Sequence, residues 1–102
     1  MNNIEVTELK KMLDSNIEIQ LIDIREEYEL ETEGKLNSTH IPMGTIMKNL
    51  HKLKSDIPVI FYCRVGRRTK NVLNYFEMKG INKKNYFNLL GGITAWKENF
   101  NI

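Results

Sequence analysis

The sequence predicts an α/β fold in which a central parallel sheet of five strands is covered by helices on both faces, and three observations carry that prediction. Short runs rich in β-branched and aromatic residues, such as Pro58-Val59-Ile60-Phe61-Tyr62, read as strands. These runs alternate with segments whose apolar residues recur at helical spacing, the order that yields parallel pairing through crossovers. The run from Ile19 to Ile24 is apolar apart from Gln20 and Asp23, as expected of a strand covered on both sides.

Taken in order, Ile4-Glu5-Val6 is predicted as a short first strand. Thr7 is the predicted N-cap of a helix from Glu8 to Leu13, with Leu9, Met12 and Leu13 on one face and Asn16 ending the unit. Ile19 to Ile24 is the second strand, and Glu26 to Leu30 one helical turn. Glu31 to Ser38 is polar and contains Gly34, which predicts a mobile loop. Thr39-His40-Ile41 is a short third strand before Pro42, after which Ile46, Met47, Leu50 and Leu53 have helical spacing. Ile57 to Tyr62 is the fourth strand. Val72, Leu73, Tyr75, Phe76 and Met78 mark a long helix stopped by Gly80. Tyr86 to Leu89 is the fifth strand, and Gly91-Gly92 opens a last helix in which Ile93, Ala95, Trp96 and Phe100 face inward.

A length of 102 residues suits one domain, residues 1–102, with a single core. A hydrophobic fraction of 41% with 27% charged residues is ordinary for a globular chain, and no long apolar run suggests a membrane span. The net charge of +2 and the scatter of Lys52, Lys54, Lys83 and Lys84 argue against nucleic acid as a partner. The start, Met1-Asn2-Asn3-Ile4-Glu5, has neither the basic nor the apolar region of an export signal, so a cytoplasmic location is expected. The lone cysteine, Cys63, agrees with a reducing compartment. No His, Cys, Asp and Glu spacing matches a metal site, and Gly91-Gly92 alone is no dinucleotide fingerprint, so neither metal nor cofactor is expected.

The chemistry concentrates in Cys63-Arg64-Val65-Gly66-Arg67-Arg68-Thr69, between the fourth strand and the long helix. Ligands of parallel sheets lie beyond the carboxyl ends of the strands, where Cys63 falls together with Asp23 and Gly91-Gly92. A loop curled around Sγ aims the unpaired N–H groups of the helix start at the sulfur, and the helix dipole favours a thiolate there. Arg64, Arg67 and Arg68 add positive charge, so anions should collect at the loop. Gly66 supplies the positive φ or close approach that wrapping a sulfur atom needs.

This segment resembles the active-site loop of rhodanese-like sulfurtransferases, Cys-x-x-Gly-x-Arg followed by Ser or Thr, with Cys63, Gly66, Arg68 and Thr69 on those positions. Leu21-Ile22-Asp23-Ile24-Arg25-Glu26 is similar to that family's Asp-x-Arg-Glu box, His40-Ile41-Pro42 to its His-Ile-Pro box, and Leu90-Gly91-Gly92-Ile93-Thr94-Ala95-Trp96 to its Gly-Gly-x-x-x-Trp box. Departures are Glu27 where Pro is usual, Leu30 at an aromatic position, Thr39 where Gly is common, and Met43 between Pro42 and Gly44. They lie outside the cysteine loop and bear on the substrate groove.

The resemblance implies a three-layer α/β/α rhodanese-like fold and a single-domain sulfurtransferase. Cys63 would attack the outer sulfur of a small anionic donor such as thiosulfate or a polysulfide and carry that sulfur as a persulfide. Arg64, Val65, Gly66, Arg67, Arg68 and Thr69 would bind the substrate, with Arg68 holding the loop and the donor, and Arg64 and Arg67 either facing the donor or only steering it. Asp23 and Arg25 are expected to support the loop structurally, His40 to satisfy backbone groups, His51 to be inert, and Trp96 to lie in the core with its N–H paired. No second cysteine can resolve the persulfide, so the acceptor is a thiol, a thioredoxin-like protein or a sulfur carrier from outside. Two rivals stay open: a relay module with little turnover on free thiosulfate, and a phosphatase or arsenate reductase of the same fold. Against the second, Cys63 through Arg68 makes a six-residue loop, one shorter than in the oxyanion enzymes of that fold.

Overall fold

The computed structural model describes residues 1–101. The strands are β1 (Asn2–Ile4), β2 (Gln20–Asp23), β3 (Thr39–His40), β4 (Val59–Tyr62) and β5 (Tyr86–Leu89). All pair in parallel in the order β1-β5-β4-β2-β3, which puts β4 at the centre. The helices are α1 (Val6–Asp14), α2 (Glu27–Glu33), α3 (Arg67–Met78) and α4 (Gly92–Asn99), with a 3₁₀ segment over Met43–Lys52.

Alternation along β4 divides the core between the sheet's faces, because successive side chains of a strand point to opposite sides. Val59, Phe61 and then Cys63 pack with Ile22, Val72, Leu73 and Phe76 under α3 and the 3₁₀ segment. Ile60 and Tyr62 pack on the other side with Leu9, Leu89, Ile93 and Trp96 of α1, β5 and α4. Phe61 meets Tyr86 and Phe76 edge-on, with centroids 5.3 and 6.1 Å apart, contacts worth about 1 kcal/mol each beyond area burial. The expected α/β/α sandwich around a five-stranded parallel sheet is therefore the observed architecture.

Several boundaries differ from the sequence reading. The first strand ends at Ile4 because its partner β5 ends at Leu89, so no ladder exists beyond that point. Helix α1 accordingly begins at Val6, with Glu5 rather than Thr7 at its N-cap. Helix α2 runs past Leu30 to Glu33, held at its start by a capping box of Glu26 and Glu29 and stopped at Gly34, where φ is +79°. The first three residues of the segment expected to be a mobile loop, Glu31 to Glu33, are consequently helical, and contacts from other elements hold parts of the rest. Arg25 bonds the Gly34 carbonyl at 2.8 Å, Leu36 is buried, and Ser38 meets the Tyr62 hydroxyl at 2.7 Å. The helical spacing after Pro42 produces tight 3₁₀ turns broken at Asn49. Trp96 lies in the core as expected, but its N–H has no acceptor among the described residues. No described helix is long and apolar enough to cross a membrane.

Candidate functional site

The parallel register brings the ends of β2, β4 and β5 to one edge of the sheet. Asp23 pairs with Tyr62 in register, and the Ile24 N–H bonds the Tyr62 carbonyl at 3.1 Å. Cys63 is the next residue and is 1% exposed. Beyond it the chain reverses through Arg64 and Val65 into Gly66, whose φ of +93° makes it the left-handed N-cap of α3. The turn carries the Gly66 N–H back onto Cys63 Sγ at 3.1 Å. The α-helical bonds of α3 start with Lys70 N–H on the Gly66 carbonyl, so the N–H groups of Arg67, Arg68 and Thr69 precede the ladder, as first-turn donors do.

Helix α4 closes the loop from the other side. Ile93 and Thr94 N–H groups bond the Cys63 and Arg64 carbonyls at 2.9 and 3.0 Å. A Cβ on Gly92, where φ is +57°, would stand 2.5 Å from the Cys63 carbonyl oxygen and 2.6 Å from that of Arg64. The second glycine of the Gly-Gly pair thus allows one helix start to grip the backbone of another helix's loop.

The candidate residues of the loop fall into three groups. Cys63, Gly66 and Thr69 are brought together, with Thr69 Oγ1 3.6 Å from Sγ and fully buried. Arg64, Val65 and Arg67 are exposed around the loop, and Arg64 approaches Glu33 at 3.6 Å. Arg68 departs from expectation: its planar fork lies bidentate on Glu29 at 2.7 and 2.8 Å rather than open to an anion. This pairing holds the Glu29 carboxyl down to about 2 and raises Arg68 further above its ordinary range. Glu29 was not singled out by the sequence reading. Its local signal was the three-residue spacing from Glu26 that makes a capping box.

Asp23 and Arg25 form a fully buried pair, bonded at 3.0 and 2.8 Å, with the guanidinium 5.8 Å from the centre of the Tyr62 ring. Burial works against the Arg25 charge, but the Asp23 carboxylate outweighs it and raises the guanidinium above its usual value. His40 Nε2 donates to the Arg25 carbonyl at 2.6 Å, which satisfies the backbone just past β2, and His51 is exposed. Chemically, the loop presents a shielded sulfur to a backbone donor at a helix start.

Comparison with known proteins fits this geometry. The family model described as Rhodanese-like domain matches residues 5–99. YtwF of Bacillus subtilis, provisionally named a sulfurtransferase, is 34% identical over 98 residues, covering 95% of this chain and 91% of that protein. A protein of Allochromatium vinosum named Sulfurtransferase is 29% identical over 96 residues, 94% of this chain and 88% of its own. Among solved structures, a rhodanese-like domain protein from Staphylococcus aureus superimposes with a TM-score of 0.80 at 32% identity, covering 94% of this chain and 91% of that one.

Proposed function

Because the chain belongs to the rhodanese-like domain family, we propose that it is a sulfurtransferase in which Cys63 carries sulfane sulfur as a persulfide. The Cys63 thiolate attacks the outer sulfur of thiosulfate, the S–S bond breaks, and sulfite leaves with the electron pair. A polysulfide or a persulfide donor serves in the same way. A thiophilic acceptor then attacks the outer sulfur and returns the thiolate. The acceptor comes from outside, because Cys63 is the chain's only cysteine; a small thiol, a thioredoxin-like protein and a sulfur carrier all have the required chemistry. A reducing, cytoplasmic setting suits such a thiol.

The observation that supports this reading most is the Gly66 N–H on Sγ at 3.1 Å, within a loop that opens a helix. A preorganised backbone donor stabilises charge on sulfur without reorganisation during the reaction, as in an oxyanion hole. No separate general base is required once the sulfur is ionised. Asp23 and Arg25, locked on each other, serve as the floor of the loop. Arg68, held by Glu29, supports the loop and adds positive charge beside it.

The test is sulfur transfer from thiosulfate to cyanide by wild type and Cys63→Ser, followed by the same assay with thiols and thioredoxin-like acceptors. Thiocyanate formed by wild type and absent with Cys63→Ser supports the reading. Activity retained by Cys63→Ser overturns it. Stoichiometric loading of Cys63 with negligible steady turnover on thiosulfate would instead identify a relay module.

A further inference from the structure

The hydroxyl of Thr69 has one proton and three neighbours to share it among. Asn88 Oδ1 receives it in a short hydrogen bond, the Gly66 carbonyl lies at 3.2 Å and Cys63 Sγ at 3.6 Å. Thr69 and Asn88 are buried, and Asn88 Nδ2 in turn donates to Asn3 Oδ1 of β1 at 3.3 Å. With its proton on Asn88, Thr69 offers sulfur only a lone pair. That suits a thiol, which has a proton to give, and does not suit a thiolate or persulfide, which only accept.

A carboxamide can resolve the conflict because one end accepts, the other donates, and the two ends have nearly the same shape. Turned over, Asn88 donates from Nδ2 to Thr69 Oγ1 and frees the hydroxyl proton for sulfur. Its Oδ1 then faces Asn3, whose own amide turns to donate. We propose that Asn88 is a positioning residue that sets the direction of the Thr69 hydrogen bond, accepting while Cys63 is a thiol and donating when it is a thiolate or persulfide. This deepens the persulfide reading and rests on it for its role in turnover.

Asn88→Asp tests the idea, because an ionised carboxylate can only accept, whereas the protonated acid both accepts and donates as the amide does. Two rates are followed against pH, each relative to wild type at the same pH: persulfide formation from thiosulfate, and alkylation of Cys63 by iodoacetamide. Burial at this site, 3% exposed in the wild type, should raise the new carboxyl well above the usual carboxylate range, so the variant should be slower by about tenfold or more near pH 8 and recover to within about threefold near pH 5. Repeating the comparison in a Thr69→Val background separates the hydroxyl's part from charge acting through space, and there the recovery should vanish. A pH-independent ratio, or one unchanged by Thr69→Val, would overturn the proposal.

Should Asn88→Asp fail to fold, Asn88→Leu carries the test. The penalty of Thr69→Val should then be smaller by about threefold or more in the leucine background than in wild type, and equal penalties would overturn the proposal. Alkylation needs no sulfur donor, so its pattern reports on Asn88 even if wild type forms no persulfide. Absence of persulfide with the alkylation pattern intact would refute the transfer reading and leave the positioning role standing.

Discussion

Arg68 lies bidentate on Glu29, 39 residues away in sequence, and this contact joins the first turn of α3 to the capping box of α2. The same carboxylate accepts the Glu26 N–H at 3.0 Å, so a single buried group both starts one helix and anchors the loop that opens another. The guanidinium beside Cys63 is thereby fixed in place before any donor arrives, at the cost of leaving its fork occupied.

The Glu29 pairing makes stability depend on acid. Its carboxyl lies at about 2 against 4.5 ordinarily, so the folded form binds the proton less tightly than the unfolded one. That contribution is fully present above pH 4.5 and is lost as pH falls toward 2. Because Arg68 is partly exposed, the contribution is on the order of 2 kcal/mol. Urea unfolding of wild type and Glu29→Gln across this range should show an acid-dependent loss in wild type that the variant lacks. Parallel acid profiles would refute the assignment.

Gly92→Ala should destabilise by about 2 kcal/mol or more, since its Cβ would strike the loop carbonyls and φ is unfavourable. Sulfur transfer should fall with it, because the displaced carbonyls belong to Cys63 and Arg64. Gly44, with no atom within 4 Å of such a Cβ, is the control, and Gly44→Ala should stay within about 0.5 kcal/mol. Equal denaturation midpoints for the two variants would contradict the close approach seen at Gly92.

Breaking the buried Asp23 and Arg25 pair from either side should cost about 3 to 5 kcal/mol, because a lone charge is left without water. Asp23→Asn combined with Arg25→Met should lose less than the sum of the single variants. Strict additivity in thermal or urea unfolding would argue that the two are not coupled.

Loop length is expected to separate sulfur from oxyanion chemistry. Wild type should hydrolyse no aryl phosphate under conditions where it forms persulfide, and a Gly inserted between Val65 and Gly66 should weaken sulfur transfer by moving the N–H now 3.1 Å from Sγ. Assay of both activities on both proteins checks this, and strong phosphatase activity in wild type would refute it.

Much of this was legible because the signals are local. The apolar run before Cys63, the helical spacing after it and the Gly91-Gly92 pair place the loop at the sheet edge where the structure has it. The partner of Arg68 was not legible, since nothing in local spacing reveals which carboxylate lies across 39 residues of chain. Asn88 left a fainter trace, a polar residue between Phe87 and Leu89 in a strand whose other ladder side chains are apolar. The first helix was misplaced because its start depends on where β5 ends, which is a pairing fact. Composition alone predicts mobility for residues 31–38, whereas the anchors of that segment, Arg25 and Tyr62, come from elsewhere in the chain.

Whether Cys63 itself carries the transferred sulfur can be read from the intact mass of the protein. After incubation with thiosulfate and removal of excess donor, wild type should gain the mass of one sulfur atom, localised to the Cys63 peptide and removed by cyanide. Cys63→Ser should gain nothing while unfolding cooperatively like wild type. An unmodified Cys63 with every sulfane donor tried, or sulfur bound equally by the serine variant, would refute a Cys63 persulfide.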